Sequence, residues 1–143
     1  MGAWLFGVLA LMGLAAAASR PAAAQGPART VWDGVYTREQ AARGEAALEE
    51  KCAPCHGPDL RGTTMGPPLA GAAFVTGWSG MDLFSLYDLI RTTMPADNPS
   101  TLTTQTSADI VAAILRANTF PPGAVELAPA VGPLGQIRIE PKK

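Results

Sequence analysis

The sequence predicts an all-α fold with three main helices, long Gly/Pro-rich loops and an irregular C-terminal tail. Apolar residues recur at a helical period in separate stretches. Clusters of glycine and proline divide those stretches and forbid long elements between them. No convincing pattern for a β-sheet occurs. The 143 residues suit one domain.

Residues 2–18 are uncharged and mostly apolar, and Ala22-Ala23-Ala24-Gln25 follows. An apolar run and then a small-residue site reads as a secretory signal peptide over 1–24, cleaved after Ala24, with Ala18 as the second choice. No Lys or Arg precedes the run, so an uncleaved membrane anchor is the alternative. The run is at the short limit for a span and is diluted by Ala and Gly, which favours cleavage. The mature chain is then expected to be periplasmic or otherwise exported, with no membrane span. Residues 25–36 read as an extended segment that Trp32 and Tyr36 can tie to the body.

Thr37-Arg38-Glu39-Gln40 has capping-box spacing and opens a helix from Arg38 to Lys51. Its Ala/Glu-rich composition favours that state. Gly44, Leu48 and Cys52 form one stripe at i, i+4, i+8. A mid-helix glycine costs about 1 kcal/mol against alanine, so Gly44 marks a close approach of another backbone, or else a merely tolerated glycine. Gly57, Pro58, Gly62, Gly66, Pro67, Pro68 and Gly71 predict a loop.

Ser79-Gly80-Met81-Asp82 reads as the cap of a second helix. It should run to Arg91 with Leu83, Leu86, Tyr87 and Ile90 inward, and Pro95 ends it at Met94. A third helix runs from Thr103 or Thr104 to about Asn118, with Ile110, Val111, Ile114 and Leu115 inward. The tail, 121–143, is Pro/Gly-rich. Its Ile137-Arg138-Ile139-Glu140 alternation suits edge pairing on another surface, unless the tail simply wraps its own body.

The only two cysteines and the only histidine fall within five residues, Cys52-Ala53-Pro54-Cys55-His56. C-x-x-C-H is the attachment signature of c-type haem. Each thiol adds to one porphyrin vinyl group and becomes a thioether, and the adjacent histidine reaches the iron. A structural zinc site needs four Cys/His ligands, and the chain has three. A thioredoxin-like pair needs a βαβ scaffold, and no such pattern is present. One covalently bound haem c is therefore expected, with the three helices around it. Both thiols are used by the haem, so no disulfide is left. The formal net charge of −1 is not that of a nucleic-acid binder.

With these residues in place, the chain resembles class I cytochrome c over residues 37–120. That resemblance makes 37–120 a cytochrome c domain, with Gly44 at the crossing of its first and last helices. Gly66-Pro67-Pro68-Leu69-Ala70-Gly71 is similar to the family's G-P-x-L-x-G. It implies that the Pro67 carbonyl accepts from the second ring nitrogen of His56 and that Leu69 packs on the haem. Trp78 resembles the aromatic residue near a haem propionate, with ordinary core packing as the alternative. The tail is similar to extensions of small cytochromes that accompany quinoprotein dehydrogenases.

A second histidine ligand is impossible, because His56 is the only histidine. A methionine thioether would complete the iron and raise its potential. Met94, 38 residues after His56 and followed by proline, matches the family's T-M-P pattern. Met65, Met81 and an open site are the alternatives.

The chain is thus expected to carry single electrons between redox proteins, a dehydrogenase or oxidase among them, and not to be an enzyme. The rival readings are a haem-based ligand binder or sensor, and a fixed subunit of a larger dehydrogenase or oxidase.

Overall fold

The computed structural model describes residues 1–2 and 29–142, so nearly all of the signal-peptide expectation lies outside the described residues. Among these residues, three long helices and three short ones form the body, with one two-stranded sheet. Strand β1, Arg29–Thr30, leads into a turn that buries Val31 and Tyr36. Trp32 and Tyr36 do tie this segment down. The Trp32 indole donates to the Glu140 carbonyl (2.9 Å) and meets Phe120 edge-on, with centroids 4.8 Å apart. The Tyr36 hydroxyl donates to the Phe120 carbonyl (2.6 Å).

Helix α1, Arg38–Lys51, starts where expected, with the Thr37 hydroxyl accepting from the Gln40 amide. Gln40 does not reach back to close a capping box. Its side chain is buried and exchanges two hydrogen bonds with the Leu127 backbone, at 3.1 and 2.8 Å. The short α2, Ala53–His56, follows directly. Helix α3, Ala72–Trp78, forms just after Gly71, in a stretch for which the sequence predicted no helix. It buries one residue, Phe74, which is too little to show a period.

Helix α4, Leu83–Thr93, is capped by Asp82 and not by Ser79. The Asp82 carboxylate accepts from the Ser85 amide at 2.8 Å and from its hydroxyl at 2.9 Å. Gly80, at φ +81°, turns the chain ahead of that cap. Helix α5, Thr104–Ala117, is capped by the Thr103 hydroxyl. It crosses α1 at Gly44, where a Cβ would strike the Asp109 carbonyl and lie 2.9 Å from the Ala113 methyl. Beside the crossing, Arg43 forks onto Asp109 at 3.0 and 3.1 Å and reaches Glu126 at 2.9 Å.

The tail lies on the body. Helix α6, Val131–Gly135, is followed by strand β2, Ile137–Arg138, which pairs parallel with β1 in the register Arg29↔Ile137. On its other side, Ile139 exchanges hydrogen bonds with Gly80 and Met81, each 2.8 Å. The pairing suggested for another surface is therefore satisfied within the chain, at both edges. Leu127, Leu134, Ile137 and Ile139 are buried in the same core as Leu83, Leu86, Ile110 and Ile114.

Candidate functional site

The last residue of α1, Lys51, and the short α2 place Cys52, Cys55 and His56 on one turn of chain. The amides of Cys55 and His56 both donate to the Cys52 carbonyl, at 3.1 and 2.9 Å. That turn puts the two thiols in register three residues apart, with the imidazole next to the second. Both cysteines are free and half-buried. Burial pushes the Cys52 thiol above its usual range, with Lys51 opposing. As a thioether it has no proton to lose.

His56 is buried, and its Nδ1 lies 2.7 Å from the Pro67 carbonyl oxygen. A carbonyl only accepts, so Nδ1 carries the proton and Nε2 keeps its lone pair. Gly66 sits flat against the ring. A Cβ there would lie 2.9 Å from Nδ1 and 3.0 Å from the Cys55 carbonyl. A side chain there would force the loop or the imidazole to shift.

Thr63, which the sequence did not single out, ties the loop to α2. Its hydroxyl donates to the Cys55 carbonyl and accepts from the Met65 amide at 3.0 Å, and its own amide donates to the Gly66 carbonyl at 2.9 Å. Further on, the Leu60 carbonyl accepts from the amides of Leu69 and Ala70, at 2.8 and 2.9 Å. Nothing in the sequence marks Thr63 except its place in a glycine-rich loop, where a hydroxyl can bond backbone.

The other expected residues occupy three places. Leu69 is half-buried against the core, at the end of the same loop. Trp78 ends α3 and packs beside Phe74, with ring centroids 6.1 Å apart and the planes tilted by 34°. Met94 is the C-cap of α4 and half-buried, whereas Met65 is 71 % exposed and Met81 is 41 % exposed.

This donor set fits haem c. It offers two free thiols three residues apart on one turn and an adjacent imidazole whose Nε2 keeps its lone pair. Among the described residues no group of three or more His, Cys, Asp or Glu side chains could hold a bare metal ion.

A family model described as "Cytochrome C oxidase, cbb3-type, subunit III" matches residues 39–112, more than half of the chain. The chain belongs to this cytochrome family. The cytochrome is also similar to a solved structure, the sulfane dehydrogenase SoxCD from Paracoccus pantotrophus. The identity is 24 %, the TM-score 0.47, and the match covers 62 % of this chain. This chain spans about half of that one, with 53 % covered. No curated protein matches the cytochrome.

Membership makes the all-α chain a c-type cytochrome whose cofactor is haem c, with Cys52 and Cys55 forming a single attachment pair. Held by Cys52 and Cys55, a haem would supply a one-electron ferrous/ferric couple. The family's work is haem-based electron transfer.

Proposed function

We propose that this cytochrome is an exported single-electron carrier serving a dehydrogenase or oxidase, and that it transforms no substrate itself. The observation that carries this reading is the Nδ1–Pro67 hydrogen bond, which leaves Nε2 of the buried His56 as a fixed ligand. Cys52 and Cys55 would hold the haem by thioethers, and Met94 would supply the second axial ligand. Leu69 would pack against the haem and Trp78 would lie near a propionate. Burial of Met94 relative to Met65 and Met81 favours it for that role. With His56 and Met94 both bound to the iron, no site would be open to a small-molecule ligand, which would disfavour a sensor.

Export rests on the apolar run 2–18 and the small-residue site ending at Ala24. Among the described residues no helix is long and apolar enough to cross a membrane. A second reading, a cytochrome held as a fixed subunit, is favoured by the oxidase-subunit description of the matching family. Co-purification with a larger complex would support it.

The test of the main reading is haem-stained electrophoresis with a visible spectrum of both redox states. A haem band should survive denaturation at the polypeptide's position. The double variant Cys52→Ser, Cys55→Ser should lose it. If acid acetone strips the haem from the wild type, the covalent reading fails. Carbon monoxide binding to the reduced wild type would return the sensor reading.

A further inference from the structure

Asn118, at the end of α5, is 8 % exposed and makes three side-chain hydrogen bonds. Its Oδ1 accepts from the Gly71 amide at 2.9 Å. Its Nδ2 donates to the Leu69 carbonyl and to the Ile114 carbonyl, each 2.9 Å. The Ile114 bond stays within α5 and sets the orientation of the amide. The other two cross to a loop 47 and 49 residues away in sequence. That loop carries the oxygen that holds His56.

Capping a helix end does not require these cross-chain bonds. The loop's own bonds, through Thr63, Gly66 and Leu60, flank positions 67 and 68 and do not reach them. Pro67 and Pro68 have no N–H, so the segment presenting the Pro67 carbonyl cannot fix itself through those positions. On one side Thr63 and Gly66 hold it, and on the other the Leu60 carbonyl and Asn118 do.

We propose that Asn118 is a positioning residue for the proximal histidine. By clamping Leu69 and Gly71 to the end of α5, it keeps the Pro67 carbonyl on Nδ1 and so sets the donor strength of Nε2. This rests on the haem reading above. A firm Nδ1–H···O bond raises the basicity of the imidazole and favours the ferric state, so loosening the clamp raises the potential.

The test uses the holoprotein with Asn118→Ala, Asn118→Ser and, as a control, Phe120→Leu. Phe120 is buried at the same helix end but contributes none of the clamp atoms. The midpoint potential is measured, together with hydrogen exchange of the His56 Nδ1–H by NMR in the ferrous protein. Asn118→Ala should raise the potential and speed that exchange by about fivefold, the equivalent of one lost net hydrogen bond. Asn118→Ser, gentler on folding, should move both the same way by less. Phe120→Leu should lower the melting temperature and move neither.

Asn118 variants that melt earlier with unmoved potential and exchange would reduce Asn118 to a helix cap and overturn the proposal. So would a Phe120→Leu variant that moves both readouts equally. A wild type without a haem band overturns the haem reading itself. A wild type with the band and unresponsive variants overturns only the role of Asn118.

Discussion

At His56 the Pro67 carbonyl settles the tautomer and leaves the lone pair on Nε2, the nitrogen proposed to bind the iron. Met94 is the proposed counterpart. Met94→Ala should lose the weak far-red methionine-to-iron band, lower the potential and begin to bind carbon monoxide. Retention of that band, with its loss in Met65→Ala, would move the assignment to Met65. Tyr36 supplies a residue-scale prediction of another kind. Its burial pushes the phenol above its ordinary value of 10.0, with Arg116 and Arg38 pulling the other way. An unfolded phenol ionises near that value while the folded one keeps its proton. The contribution of Tyr36 is therefore complete below about pH 10 and is lost as pH rises through the raised folded value. Tyr87 is shifted in the same direction by burial and adds to the same alkaline window. Tyr36→Phe should cost about 1 kcal/mol at neutral pH, through loss of the bond to the Phe120 carbonyl. It should also flatten the alkaline fall. Urea denaturation on both sides of pH 10 measures the two effects, and an unchanged alkaline slope would sink the assignment.

Among the elements, the crossing of α1 and α5 has the least tolerance. Gly44 meets backbone, the Asp109 carbonyl, so an added methyl cannot be accommodated by turning a side chain. Gly44→Ala should destabilise the protein by about 3 kcal/mol, because the helices must move apart. Gly77, in α3, has nothing within 4 Å of an added Cβ. Gly77→Ala should instead stabilise by up to about 1 kcal/mol. Urea midpoints of the two variants test the contrast, and equal shifts would mean that helix propensity alone governs both. The Gly44 stripe was legible in the sequence because a mid-helix glycine is unfavourable without a packing reason. The cap of α4 was misread because Ser79 and Asp82 are both capping types, and only the backbone turn at Gly80 separates them.

At the scale of the whole molecule, the tail ties the segment before α1 to the turn before α4. β2 lies between residues 29–31 and 80–82, and Gln40 holds Leu127 by its backbone. Truncation after Pro122 removes the buried Leu127, Leu134, Ile137 and Ile139. The melting temperature should fall by about 15 °C or more, since losing even one buried aliphatic side chain costs about 2–5 kcal/mol. An unchanged melting temperature, with slower turnover of a redox partner, would instead revive the tail as a docking element.

The sequence by itself determined the chemistry and the main helices. The two thiols and the imidazole meet because they are covalent neighbours, and helix period and capping act over three or four residues. Such short-range rules are readable without a fold. The tertiary structure alone decided the long-range partners. Asn118 was visible as a helix end, but its reach to Leu69 and Gly71 depends on where α5 lies against the loop. The Gln40 amide faces Leu127, 87 residues on, and not its own helix cap. Ile137–Arg138 was legible as strand-like, yet only packing shows that Arg29–Thr30 and residues 80–82 take both its edges. A backbone polar group bonds whichever partner burial brings to it, and no local pattern specifies which one arrives.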